Sequence, residues 1–130
     1  NVIWVGSMRN QDDMAPWFLS AKAFVYPGAI GLSILHSLSY GLPVIVHGNK
    51  ERQMPEFEMM EDGKTGLLFR DDDVSDLATK IIWAVEHPSE MAIMRNYSKM
   101  KALKNYSMES MVVNFSAAIE RCSQIHSNNY

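Results

Sequence analysis

The sequence predicts an α/β protein of the doubly wound, Rossmann-like type, with a parallel sheet covered by helices on both faces. Two observations support this class. Short apolar runs alternate with helical segments through residues 1–70, and the connections between them are short. Residues 71–130 then show only helical patterns. Alternation of this kind is typical of parallel strands joined by crossover helices. We expect a single partial domain over residues 1–130.

The first third of the chain predicts two strands separated by a helix. Val2–Val5 is a short apolar run typical of a strand buried on both faces. In the helix that follows, Asp12 and Asp13 are the expected caps, and four apolar side chains fall at helical spacing: Met14, Trp17, Phe18 and Ala21. The second strand is Ala23–Tyr26, which Pro27 ends.

The middle of the chain continues the alternation. A second helix is expected over residues 32–40, with Gly41 ending it. A third strand follows at Val44–Val46. Pro55 is placed where a first helical turn tolerates proline, and the segment 62–69 predicts a turn and a fourth strand.

Three helices are predicted after the last strand. The first begins at the caps Asp71, Asp72 and Asp73 and carries one apolar face: Val74, Leu77, Ala78, Ile81, Ile82 and Val85. The second is expected over Ser89–Lys104. The third begins at Ser107 and carries one apolar stripe: Met108, Met111, Val112, Phe115, Ile119 and Cys122. Of these, Cys122 is expected to lie in the core. The tail 123–130 is expected to be frayed.

Composition excludes several classes of function. With a net charge of −3, the chain has no basic field for a phosphate backbone, so nucleic acid is not an expected partner. The single cysteine excludes an internal disulfide and fits a reducing compartment. No apolar run approaches the roughly 18 residues of a transmembrane segment. The expected location is the cytoplasm, with the inner face of the membrane as an alternative.

The loop "PGAIG", residues 27–31, is a candidate ligand site. It follows a predicted strand, and in open parallel sheets ligands bind beyond the carboxyl ends of the strands. An anion can bind to free amides at the start of the next helix, here those of Ile30, Gly31, Leu32 and Ser33. The two glycines allow close approach of a phosphate. An ordinary turn is the alternative interpretation.

His36 is the second candidate, because it lies about 6 Å along the helix from Leu32 on the same face, at ~1.5 Å per residue. An imidazole there can bond a ribose hydroxyl. The alternative is a partly buried histidine bonded to a nearby carbonyl. The four histidines, His36, His47, His87 and His126, lack metal-ligand spacing, so no metal site is expected.

The segments 25–46 and 54–69 resemble the C-terminal half of the GT-B glycosyltransferases, particularly family 4, whose members are retaining enzymes with nucleotide-sugar donors. That family shows a Glu-Gly-Phe-Gly-Leu loop, a Gly-x-Pro-Val strand entry, a Pro-Glu turn and an Asp-Gly-x-x-Gly segment. The matching residues are Gly31, Leu32, Gly41, Leu42, Pro43, Val44, Pro55, Glu56, Asp62, Gly63 and Gly66. The similarity extends from Val2 to about Val85.

Two departures from the family pattern lie at positions that contact the donor in that family. Gly28 and His36 stand where the family has glutamates, the first of which contacts the donor sugar and the second the ribose. The chain also resembles bacterial members that read Pro-Gly-x-x-Gly-Leu and have a histidine in this helix. The departures are therefore interpreted as a subfamily variant.

The resemblance implies the donor-binding part of a retaining glycosyltransferase that transfers a sugar to a glycan or lipid-linked acceptor. The donor is a nucleotide-diphosphate sugar, and no cofactor is expected. The acceptor domain and the family's basic pair lie upstream, so this chain alone is expected to be inactive. The implied donor and phosphate site is Gly28, Ala29, Ile30, Gly31, Leu32, His36 and Glu56, with catalytic residues unassigned. A non-catalytic nucleotide-binding or scaffolding module of the same fold is the alternative.

Other side chains have weaker expected roles. Glu56 either contacts a donor hydroxyl or caps its own helix. Three loop cations either approach a phosphate or are ordinary surface charges: Arg9, Lys50 and Arg52. Three residues of the terminal helices are expected to face the upstream domain: Tyr97, Met100 and Phe115.

The resemblance also makes Val2–Val5 an edge strand without its native neighbour. A strand edge with free amides invites pairing. We therefore expect either that Val2–Val5 moves into the slot beside Ala23–Tyr26, or that a second copy of the chain supplies the missing edge and a homodimer forms. Finding Val2–Val5 unpaired and exposed would contradict both versions.

Overall fold

The computed structural model describes the backbone of residues 2–127 and the side chains of residues 2–124. A parallel sheet of three strands in the order β1-β2-β3 lies at its centre, with β1 at Phe24–Tyr26, β2 at Val44–His47 and β3 at Gly66–Phe69. Ile45 of β2 lies opposite Val25 on one side and Leu67 on the other. The α/β class is confirmed.

Five α-helices and two short 3-10 helices surround the sheet in the described part of the chain. The α-helices are α1 (Gln11–Ser20), α2 (Ser33–Ser39), α3 (Val74–Glu86), α4 (Pro88–Asn105) and α5 (Met108–Ser127). The 3-10 helices are Lys50–Arg52 and Pro55–Met59. Each predicted helix is present, although the one at Pro55 is a 3-10 helix.

The core has two parts, one on each face of the sheet. Successive strand residues point to opposite faces, so Val44 and Val46 belong to one part and Ile45 to the other. The first part consists of Ile30, Ile34, Leu38, Val44, Val46, Phe57 and Ala102. The second consists of Ile45, Leu67, Phe69, Ala84, Met91 and Met94. Helices therefore cover both faces, as a doubly wound fold requires.

Among the predicted helix caps, Asp73 of α3 is correct, whereas Asp71 and Asp72 bond Arg52 instead and the caps of α1 are wrong. The side chain of Asp73 accepts a hydrogen bond from the amide of Asp76, which confirms it as the cap of α3. The cap of α1 is Asn10, whose Oδ1 accepts from the amide of Asp12 at 3.1 Å. The prediction that Asp12 and Asp13 cap this helix is wrong, because Asn10 is the last extended residue and both aspartates already lie in the first helical turn.

The predicted strand Val2–Val5 is wrong. Residues 2–9 form no regular structure, and Trp4 is 91% exposed. A strand buried on both faces needs paired neighbours and helices above and below, and the described part of the chain supplies none at this position. Because Val2–Val5 is unpaired and exposed, the predicted move beside β1 is wrong. The homodimer, which would need a second copy of the chain, is not supported by this single chain.

The apolar faces of α3 and α5 are present as patterns but are not the buried surfaces that the sequence predicts. In α3, Leu77 packs on the core with Trp83 and Ala84, whereas most of the predicted face, including Val74 and Ile82, is exposed. The whole predicted stripe of α5 is exposed, including Cys122. Periodicity places residues on one face of a helix, but burial needs a second surface against that face.

The C-terminal tail is expected from the sequence to fray from residue 123. The helix α5 continues through Ser127, so this prediction is wrong for residues 123–127. Residues 128–130 lie outside the described residues.

Candidate functional site

Three loops meet the carboxyl edge of the sheet. They are residues 27–32 after β1, residues 48–54 after β2 and residues 70–73 after β3. Because the three strands are parallel, all their carboxyl ends lie at the same edge. Ligands of open α/β sheets usually bind at this edge, so a site is expected among the three loops.

A glutamine that the sequence did not single out joins the first two loops. Gln53 Oε1 accepts a hydrogen bond from the amide of Ile30 at 2.7 Å, and its Nε2 donates to the carbonyl of His47 at 2.9 Å. Next to this bridge, a Cβ built on Gly31 would lie 3.9 Å from Met54 Cγ. The loop 27–32 is therefore held against the segment 53–56.

The amides of the loop are only partly available for a ligand. The sequence predicts four free amides, but that of Ile30 is occupied by Gln53, so the prediction is wrong for this residue. The amides of Gly31, Leu32 and Ser33 donate to no acceptor within the described part of the chain. Leu32 occupies the cap position of α2 without a side-chain hydrogen bond. Three amides, rather than four, remain for an anion.

His36 lies on the solvent-exposed side of α2. Its carbonyl accepts from the amide of Tyr40, and its ring makes no hydrogen bond within the described residues. The alternative interpretation, a partly buried histidine bonded to a carbonyl, is therefore wrong. The ring is available to a ligand.

Glu56 has an unsatisfied carboxylate oxygen. The residue lies in the 3-10 helix Pro55–Met59, which packs against α2. Its Oε2 is buried and has no hydrogen-bond partner among the described residues, and no side chain caps this helix. The capping interpretation is therefore wrong. A buried carboxylate oxygen without a donor costs free energy.

The remaining predicted residues of the loop are open to solvent. Gly28 and Ala29 are exposed, and a Cβ at Gly28 would lie 3.5 Å from the ring of Tyr26. The side chain of Leu32 is also exposed, whereas that of Ile30 is fully buried in the core. Of these predicted residues, Ile30 is therefore buried in the core, whereas Gly28, Ala29 and Leu32 are open to solvent.

A second polar cluster, which the sequence did not predict, joins the loops after β2 and β3. Asp71 accepts hydrogen bonds from Asn49 at 2.9 Å and from Arg52 at 2.8 Å. The buried His47 ring lies with Nδ1 3.7 Å from Asp71 Oδ1, and that nitrogen has no hydrogen-bond partner among the described residues. Arg52 also bonds Asp72, whose φ of 57° is unusual for a residue other than glycine. These contacts fix the loop 48–52 relative to β3.

The charges in this cluster shift each other's pKa values. Partial burial acts to raise the pKa of Asp71, but the hydrogen bond from Asn49, the neighbouring His47 and Arg52 outweigh it, so the pKa is lowered. The hydrogen bond to Asp72, together with the charge of Asp71, raises the pKa of Arg52. Two carboxylates therefore compensate the charge of Arg52, both through its NH1 nitrogen.

Of the other two loop cations, Lys50 borders an open cleft. Neither Arg9 nor Lys50 forms an ion pair with any residue that the structure describes, and both are exposed. The cleft has a volume of about 500 Å³ and is lined by Lys50, Gln53, Met54, Pro55, Phe57, Glu58 and Met60. None of the seven predicted site residues lines it. It adjoins the loop 27–32 through Gln53 and Met54.

The expected contacts of the terminal helices differ from one another. The Tyr97 hydroxyl donates to the carboxylate of Glu61, at 3.1 Å from Oε1 and 3.0 Å from Oε2. Met100 and Phe115 are largely exposed.

Among the described side chains, no three His, Cys, Asp or Glu residues are grouped to hold a metal ion. None of the helices within residues 2–127 is both long and apolar enough to cross a membrane.

Comparisons with known proteins agree with this architecture. A family model described as glycosyl transferases group 1 matches residues 1–87. A sulfoquinovosyl transferase of Arabidopsis thaliana is 33% identical over 84 residues, which cover 61% of this chain and 16% of that protein. A sucrose-phosphate synthase structure from Thermosynechococcus elongatus aligns with a TM-score of 0.75 at 18% identity, over 93% of this chain and 30% of the other.

These matches differ in what they establish. At 18% identity the structural match concerns the fold alone, and it agrees with half of a GT-B enzyme. The chain spans less than a third of the length of either relative. The family model covers well over half of the chain, including β1, β2, β3 and α3. The chain therefore belongs to the glycosyl transferases of group 1.

Proposed function

We propose that this chain is the donor-binding part of a retaining glycosyltransferase that moves a sugar from a nucleoside diphosphate to a glycan or lipid-linked acceptor, as in polysaccharide biosynthesis. One observation carries the proposal. The loop 27–32 and the segment 53–56 are joined at the carboxyl edge of a parallel sheet, and Glu56 there holds a buried oxygen without a donor among the described residues.

The diphosphate would lie at the start of α2. The amides of Gly31, Leu32 and Ser33 are available there, and Gly31 has no side chain to keep a phosphate at a distance. Amides at the start of a helix stabilise negative charge, and this charge increases on the leaving diphosphate during transfer. The exposed Gly28 and Ala29 would form the open side of this site.

The two ends of the donor would contact side chains of different elements. The exposed ring of His36, one turn into α2, would bond a ribose hydroxyl. The unsatisfied oxygen of Glu56 would accept from a hydroxyl of the donor. The name of the 33% identical relative, a sulfoquinovosyl transferase, refers to a sugar, which supports a sugar-containing substrate.

Retention of configuration and independence of a metal rest on the resemblance to family 4. The basic pair and the acceptor domain of that family would be supplied by other parts of the protein. Positioning of the donor and acceptor and stabilisation of the diphosphate would then provide most of the rate enhancement.

The test is a calorimetric titration of the full-length protein with UDP, GDP, ADP and dTDP in the presence of EDTA. At least one diphosphate is expected to bind, and Glu56→Gln is expected to weaken binding of the corresponding nucleotide sugar. The matched control is Glu86→Gln, an exposed carboxylate at the end of α3. If none of the four binds, the alternative, a scaffolding module of the same fold, is favoured.

A further inference from the structure

Gln53 connects the loop 27–32 to the sheet through both ends of its side-chain amide. The oxygen accepts from the Ile30 amide, 23 residues earlier in the chain, and the nitrogen donates to the His47 carbonyl. The two ends have opposite hydrogen-bonding character, so each partner matches only one of them. His47 belongs to β2, whose four residues are all buried, so the loop is attached to the most buried strand of the sheet.

The bridge lies where the next rung of the ladder between β1 and β2 would fall. The amide of Phe24 donates to the carbonyl of Pro43 at 2.8 Å, and rungs of a parallel ladder recur every two residues. The same spacing would bring the amide of Gly28 to the carbonyl of His47. In the structure, Gln53 Nε2 bonds that carbonyl, and β1 has already ended at Tyr26, before Pro27.

The loop has few other attachments. Within the described residues, no other hydrogen bond joins residues 27–30 to a neighbouring loop or helix. The side chain of Ile30 is buried in the core, which fixes its Cα position, while the hydrogen bond to Gln53 fixes the orientation of its amide. The free amides of Gly31, Leu32 and Ser33 follow directly, so their direction depends on that orientation.

We infer that Gln53 is a positioning residue, which holds the loop 27–32 in the conformation that receives the diphosphate of the donor. The inference rests on the proposed function. The oxygen of Gln53 and one of its amide N–H groups are engaged by Ile30 and His47, so the role assigned to it is to hold the loop. Its effect is preorganisation: a loop that is already ordered loses less entropy when the ligand binds.

The test compares Gln53→Met in the full-length protein with the wild type. Methionine has nearly the same length but provides neither of the two hydrogen bonds. Hydrogen exchange of the Ile30 amide is expected to become about tenfold faster, and the nucleoside diphosphate that binds best among UDP, GDP, ADP and dTDP is expected to bind about five- to tenfold more weakly.

Two further variants separate positioning from a loss of stability. Ile45→Val removes a methyl group from the buried centre of β2, outside the loop 27–32. It is expected to lower the free energy of unfolding by about 1 kcal/mol. It is expected to leave both the Ile30 exchange rate and the dissociation constant unchanged. If Gln53→Met does not fold, Gln53→Asn provides a milder change, because its shorter side chain cannot reach both partners, and shifts in the same directions are expected.

The outcomes distinguish this inference from the proposed function. An unchanged Ile30 exchange rate in Gln53→Met overturns the inference, and so does faster exchange with an unchanged dissociation constant. If the wild type binds none of the four diphosphates, the proposed function fails and the ligand-positioning role fails with it. Ile30 exchange that is still faster in Gln53→Met would then assign Gln53 a purely structural role in the loop.

Discussion

The ammonium of Lys101 donates to Glu61 Oε1 at 2.6 Å and also to the carbonyl of Met59 at 2.8 Å. Lys101 belongs to α4, and Glu61 lies in the turn that leads to β3. Lys64 and Tyr97 bond the same carboxylate. These contacts attach the C-terminal helices to the sheet, so their removal is expected to lower stability.

Replacement of Lys101 by methionine is expected to lower the free energy of unfolding by about 1 to 2 kcal/mol, because the carbonyl of Met59 and the carboxylate of Glu61 each lose a mostly buried donor. Urea denaturation measures the change. Lys104→Met, at an exposed position of the same helix, is the control and is expected to change stability by less than about 0.5 kcal/mol. Equal effects of the two substitutions would contradict the prediction.

Stability is expected to fall at acid pH through Glu61. The hydrogen bonds from Lys101 and then Lys64 lower the pKa of this carboxyl from its usual 4.5 to about 2. A carboxyl whose pKa is lowered by folding adds stability above its unfolded pKa, and this contribution is lost as the pH falls from about 4.5 to 2.

The measurement for Glu61 is the unfolding free energy of Glu61→Gln and the wild type between pH 7 and pH 2. The variant is expected to be less stable near neutrality, and the gap should close toward pH 2. In Glu86→Gln, an exposed control, no such gap is expected. A gap for Glu61→Gln that stays constant with pH would show that the carboxylate charge is not responsible.

Gly66 is expected to tolerate no side chain. A Cβ there would lie 1.8 Å from the carbonyl oxygen of Val44, and the backbone of β2 cannot move away without breaking the sheet. Gly66→Ala is therefore expected to cost about 3 kcal/mol or more. In Gly48→Ala, where the nearest atom is a Leu68 methyl at 3.6 Å, the expected change is within about 0.5 kcal/mol. Thermal unfolding of both variants provides the comparison.

His36→Ala is expected to weaken binding of the preferred nucleoside diphosphate by roughly 1 to 2 kcal/mol, about five- to thirtyfold, because one hydrogen bond to the ribose is lost. Stability should not change, since the ring is exposed and unpaired within the described residues. His87→Gln is the control for binding. Its ring stacks on Trp83 at the junction of α3 and α4 and is not part of the candidate site, so the affinity for the nucleotide is expected to stay the same. Calorimetry showing an unchanged affinity for His36→Ala would remove His36 from the site.

The exposed stripe of α5 predicts a contrast between two phenylalanines. Phe57 is 8% exposed and belongs to the core, so Phe57→Ala is expected to cost about 3 to 5 kcal/mol. Phe115 is 69% exposed, so Phe115→Ala in this chain is expected to change stability by less than about 0.5 kcal/mol. Denaturant titration of the 130-residue chain checks both values. A large loss of stability for Phe115→Ala would contradict the exposure of this stripe.

The candidate site was only partly predictable. The loop 27–31 was found because proline and glycine directly after an apolar run end a strand, and Glu56 was found by the family's Pro-Glu turn. Gln53 lies in a polar loop without a pattern, so nothing in the sequence points to it. Its role depends on two partners, Ile30 and His47, that only folding brings within hydrogen-bond distance. The same holds for Asp71 and Asn49, which are 22 residues apart.

The sequence by itself determined the α/β class, the strands β1 to β3 and the five helices, because periodicity, glycines and prolines act locally. Its resemblance to a glycosyltransferase family came from matching motifs, and the family model confirms the family. Only the tertiary structure decided that Val2–Val5 forms no strand, that the stripe of α5 is exposed and that the amide of Ile30 is occupied. Each of these depends on which surface or acceptor lies opposite a residue. That surface is supplied by distant parts of the chain, which local patterns do not describe.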